Sequence, residues 1–64
     1  MAWLAVNRNG KGFIFGDKPH REISRHFGDY WETTWTGKYV ELPKGSIKKL
    51  IGRELKWEDS PVEI

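Results

Sequence analysis

Not one cysteine occurs in this 64-residue chain, and that absence narrows the ways it can hold a fold. A domain this small buries a smaller share of its surface than a larger one, so its core is marginal. Small domains ordinarily add disulfides, a metal or a partner subunit. Disulfides and thiolate metal sites are excluded here. Large apolar side chains and self-association remain. Four Trp, three Phe and two Tyr supply the first, because each ring can bury a large area. An interface between copies would supply the second, and a homo-oligomer is slightly favoured over a monomer. The length holds one domain, residues 1–64.

The lack of cysteine also fits a reducing cytoplasm. No apolar run approaches the ~18 residues of a spanning helix. Met1-Ala2-Trp3-Leu4-Ala5-Val6 lacks a basic start and runs straight into Asn7-Arg8-Asn9-Gly10, which is unlike a signal peptide. The expectation is a soluble intracellular protein with no membrane partner.

Local patterns predict a mainly β chain. Ala2 to Val6 and Gly12 to Gly16 are short apolar runs on either side of Asn9-Gly10, the strongest hairpin signal present. Trp3 is expected opposite Phe13 or Phe15. Residues 17 to 29 are irregular, and Pro19 biases Lys18 away from helix. His20 to Phe27 fits a helical turn, with Ile23 and Phe27 inward at i, i+4, and equally an ordered loop. Tyr30 to Trp35 alternates bulky and polar residues, with Trp31, Thr33 and Trp35 on one face and Tyr30, Glu32 and Thr34 on the other. Thr36-Gly37-Lys38 reads as the turn that pairs this strand with Tyr39 to Leu42 in a second hairpin. Ser46 is placed to cap a short helix, Ile47 to Ile51, ended by Gly52. Ile47, Leu50 and Ile51 share its apolar face. Glu54 to Trp57 is expected to be extended, and Val62 to Ile64 alternates as a last strand. The fold class is therefore α+β, mainly β with one short helix: a compact meander or small barrel of four to five strands in two hairpins.

No catalytic constellation is present, and the chain is not expected to be an enzyme. The few Ser, Thr and Lys residues sit in no recognisable nucleophile setting. No cofactor is implied, and Gly10-Lys11-Gly12 is too short for a phosphate loop. His20 and His26 lie six residues apart, without the spacing of a helical zinc pair. Asp17 or Asp29 would have to complete such a site, so a metal is not expected.

Net charge is +2, and the basic excess lies before Gly28. Lys18, His20, Arg21 and Arg25 gather there, followed at once by Tyr30, Trp31 and Trp35. Arginine forks suit phosphate or carboxylate, and neighbouring rings suit a stacked base. Arg21 and Arg25 are the candidates for phosphate and Trp31 or Trp35 for stacking. The bland alternative places the tryptophans in the core and the arginines in solvent. Lys48, Lys49, Arg53 and Lys56 form a second basic group, whose ordinary role is to solubilise the helix. Glu58, Asp59 and Glu63 would repel a nucleic-acid backbone.

The stretch Leu42-Pro43-Lys44-Gly45-Ser46-Ile47-Lys48-Lys49-Leu50-Ile51-Gly52-Arg53-Glu54-Leu55, with Trp57-Glu58-Asp59 and Pro61-Val62-Glu63, resembles short proteins carried by phages and mobile elements of gut bacteria. Those proteins also open with a Trp-containing strand, a glycine turn, an aromatic strand and a Pro-x-x-Arg-like segment. Here these correspond to Trp3, Gly10, Phe13 with Phe15, and Pro19 to Arg21. The resemblance names no activity. It implies a phage-type accessory protein of the host cytoplasm that inhibits bacterial defence, by sequestering an anionic nucleotide-like signal or by covering a host defence protein. The rival expectations are a small nucleic-acid-binding β-barrel and a self-assembling structural subunit.

Overall fold

Alternation along Trp3-Leu4-Ala5-Val6 sends Leu4 and Val6 to one face of a strand and Trp3 and Ala5 to the other. The structure, a computed structural model that describes residues 2–26, 28–33 and 37–64, builds outward from that division. β1 (Trp3–Val6) and β2 (Gly12–Phe15) form the expected hairpin. Trp3 stands opposite Phe15 and Val6 opposite Gly12. Gly10 takes φ +89 in the turn, a conformation that a Cβ disfavours, and its N–H donates to the Asn7 carbonyl at 2.9 Å.

Six strands form among the described residues, in two antiparallel sheets, with one short helix. The larger sheet has the order β5-β2-β1-β6, where β5 is Tyr39–Leu42 and β6 is Val62–Glu63. The smaller is a two-stranded ribbon of β3 (His20–Ser24) and β4 (Gly28–Glu32). The sheet does not close into a barrel.

Four expectations need correction. His20–Ser24 is a strand, neither a helical turn nor a loop, because pairing with β4 uses its two-residue period. Ile23 is consequently 78% exposed, and the proposed contact with Phe27 lies outside the described residues. The second hairpin joins β3 to β4, and does not join Tyr30–Trp35 to Tyr39–Leu42. β5 instead pairs with β2, Phe15 opposite Tyr39 and Gly12 opposite Leu42. Thr34, Trp35 and Thr36 fall outside the described residues. The helix α1 (Ser46–Ile51) is capped by Gly45 at φ +88, with no side-chain cap from Ser46. Its end is as expected, with Gly52 in the left-handed region donating its N–H to the Lys48 carbonyl at 2.8 Å. Leu50 is 55% exposed and leaves the inner face to Ile47 and Ile51.

The division made in β1 sets the core. On one face, Leu4 and Val6 meet Ile47 of α1 and Leu55, flanked by Ile14, Leu42, Ile51 and Val62. The helix lies so close that a Cβ on Gly12 would sit 2.8 Å from the Ile47 Cδ1. On the other face, Ala5 and Phe15 meet Trp31 of the ribbon, flanked by Trp3, Phe13 and Trp57. The larger sheet is thus the middle layer, with the helix and Leu55 on one side and the ribbon with Trp57 on the other. No helix among the described residues is long and apolar enough to cross a membrane.

Candidate functional site

The ribbon is fastened to the first hairpin by the residues just after β1. The buried Trp31 indole donates Nε1–H to the Val6 carbonyl at 2.8 Å, and the Trp31 N–H donates to Asn7 Oδ1 at 2.9 Å. Arg8 pairs with Asp29 at 2.6 Å, which raises the Arg8 pKa through hydrogen bonding and then charge. Asn7 and Arg8 therefore serve as the ribbon's anchor as well as belonging to the turn.

Trp57 completes this junction. A turn closed by the Asp59 carboxylate, which accepts the Lys56 N–H at 2.9 Å, presents the indole to Trp31 at 5.5 Å between centroids and 60° between planes. The Arg21 guanidinium lies 4.7 Å from both ring centroids. It also donates to the main-chain carbonyls of Trp57 at 2.7 Å and Asp59 at 3.3 Å. One terminal nitrogen, Nη2, makes both bonds, while the charge faces the two rings.

The residues proposed from sequence to hold an anion are thus distributed over several places. Arg21 and Trp31 are brought together, but within the molecule's own packing, and only 8% of Trp31 is exposed, so its faces offer no platform for a base. Lys18 Nζ stands 5.5 Å from the Trp3 ring centroid. Arg25 is exposed in the turn between β3 and β4. His20 and Tyr30 occupy the ribbon's other face, where His20 Nε2 meets Glu22 at 3.0 Å and Glu32 at 3.9 Å. Trp35 lies outside the described residues.

A cleft opens elsewhere, between the β1–β2 turn, the N-terminal side of α1 and the 54–58 segment. Its volume is about 380 Å³, within the range of small-molecule sites. The buried side chains of Val6, Ile47 and Leu55 make an apolar floor, and Trp57 is also among the lining residues. Arg8, Lys44, Lys48 and Lys56 line it against the carboxylates of Glu54 and Glu58. Gly10, Gly12 and Gly45 also line it. The arrangement offers several cations to an anionic group beside an apolar surface.

Sequence reading had grouped Lys48 and Lys56, yet it assigned them to the solubility of the helix. It passed over Lys44, and it gave Trp57 no role beyond an extended segment. The signal available was composition alone: basic residues interleaved with Trp57 and Leu55. The opposite side of the cleft comes from the first hairpin, more than thirty residues earlier in the chain.

No family model, curated protein or solved structure matches the chain.

Proposed function

We propose that this protein is a non-enzymatic binding module that captures a small anionic ligand of the nucleotide class in the cleft between α1 and the first hairpin. The cleft itself carries the reading: an apolar floor with Trp57 in the lining suits a planar ring, and the lysines around it suit a phosphate. Lys44, Lys48 and Lys56 take the phosphate role first given to Arg21 and Arg25, and Trp57 takes the place of Trp31 or Trp35. In a phage-type setting, capture of such a signal by stoichiometric binding would blunt a host defence response.

Thermal unfolding and calorimetry against mono-, di- and cyclic nucleotides test the reading. At least one ligand should bind saturably, and Lys48→Glu with Lys56→Glu should abolish that binding without loss of fold, since both side chains are exposed. A panel without a binder, or binding unchanged in the double variant, overturns it.

A second reading, cover of a protein surface or self-assembly, is favoured by β5. This edge strand exposes Tyr39 and Val40 at 61% and 63%, and an open, apolar edge is a ready pairing surface. Mass measurement at several concentrations, alone and with candidate partner proteins, checks it. A monomer that forms no complex argues against it.

A further inference from the structure

The antiparallel register of the ribbon sets His20 directly opposite Glu32, and Glu22 opposite Tyr30. His20 and Glu22 are two residues apart on one strand, so all four side chains share a face. This face points away from the Arg21–Trp31 junction, and the cleft does not include it.

We propose that His20, Glu22 and Glu32 form a site for one divalent cation of the zinc class, which staples β3 to β4. The three residues each offer a ligand atom, and all three atoms lie within 4.8 Å of one another. His20 Nε2 is 3.0 Å from the Glu22 carboxylate and 3.9 Å from that of Glu32. Around a tetrahedral zinc with bonds of about 2.1 Å, neighbouring ligand atoms stand about 3.4 Å apart. The two distances bracket that value, so the set can close on an ion with small side-chain rotations.

Donor chemistry selects the ion. One imidazole nitrogen with two carboxylates suits zinc and its first-row neighbours, whereas calcium and magnesium favour all-oxygen surroundings.

Magnitudes explain why a cation would matter here. Each of the three side chains is about half exposed, and ion pairs at that exposure contribute little by themselves. A two-stranded ribbon is marginal in water, and this chain has no cysteine with which to tie it. A bound metal stabilises the state that holds its ligands together. The proposal uses no residue of the cleft and stands or falls apart from the reading given to it.

The test uses the whole protein stripped with a chelator and titrated with Zn²⁺, followed by calorimetry and thermal unfolding. Expected are one Zn²⁺ per chain, a higher melting temperature, and no comparable response to Mg²⁺. His20→Gln, and separately Glu22→Gln with Glu32→Gln, should each weaken binding by more than about tenfold, the least loss seen when even an outer-shell partner of a metal ligand is removed. His26→Gln and the Lys48→Glu/Lys56→Glu variant should bind like the parent. In parallel, Zn²⁺ added to the unmutated protein should move the His20 ring resonances, a readout that needs no variant to fold. Absence of saturable Zn²⁺ binding, unaltered binding by His20→Gln, an equal response to Mg²⁺, or unmoved His20 resonances each overturn the proposal.

Discussion

Arg21 donates a 2.7 Å hydrogen bond to the main-chain carbonyl of Trp57, which stands 36 positions later in the chain. The same guanidinium stacks against Trp57 and Trp31, so one side chain ties the ribbon to the C-terminal segment. Lysine keeps the charge but loses the planar fork. Arg21→Lys should therefore lower stability by about 1 kcal/mol, the scale of an exposed cation–π contact, and Arg21→Ala by somewhat more. Urea unfolding measures both, and a Lys variant as stable as the parent would contradict the stacked geometry.

Trp31 carries the largest single stake in the ribbon's attachment. Trp31→Phe removes the Nε1–H donor from the Val6 carbonyl in a buried setting and leaves a small void. The combined loss should be about 2–4 kcal/mol. A domain of this size has roughly 3–10 kcal/mol in total, so near-ultraviolet circular dichroism should show partial loss of the fold in mild denaturant. A loss below about 1 kcal/mol would mean that the indole is not the buried anchor described.

Gly10 tests the hairpin turn without a packing complication, since a Cβ there would meet nothing within 4 Å. At φ +89 an L-alanine is strained, and Gly10→Ala should cost about 1 kcal/mol. D-alanine, introduced by chemical synthesis, accepts that φ and should stabilise the protein by restricting the unfolded chain. Equal effects of the two enantiomers would show that the turn does not hold this conformation.

Tyr30 predicts an alkaline limb. Its pKa is raised in the native protein, so the folded state keeps a proton that the unfolded chain releases near pH 10. The associated stability is complete below that pH and declines as pH rises through the native value. Glu32→Gln removes the largest cause and should move the Tyr30 midpoint down toward the ordinary range. Tyrosinate absorbance in a Tyr39→Phe background reads this directly, and an unmoved midpoint would remove Glu32 from the ribbon's outer face.

The features legible in the sequence were those specified locally. Asn9-Gly10 between apolar runs foretold the first hairpin, with Phe13 or Phe15 opposite Trp3 and Phe15 the one that stands there, and Gly52 foretold where the helix ends. Gly45 displaced Ser46 from the cap because a glycine at φ +88 turns the chain into the helix without a side-chain bond. β3 was illegible for a different reason. His20-Arg21-Glu22-Ile23 has little apolar alternation to announce a strand, and its extended form is set by pairing with β4. The partner of β5 was equally hidden, since it is chosen by a sheet and not by the nearest turn. Arg21 and Trp31 were both legible as candidates, but their meeting point was not, because it is completed by Trp57, a residue far outside that stretch of the chain.

The pairing of β1 with β6 sets an order of events for folding. Leu4 lies opposite Val62, 58 positions later in the sequence, and β1 keeps an open edge until Val62 and Glu63 dock. Such distant contacts slow folding, and the β1–β2 hairpin, whose pairing is local, is the part expected to form before β6 docks. A ribosome-bound chain held short of Val62 should stay sensitive to protease across Trp3–Val6, and protection should arrive in a single late step once β6 is free to dock.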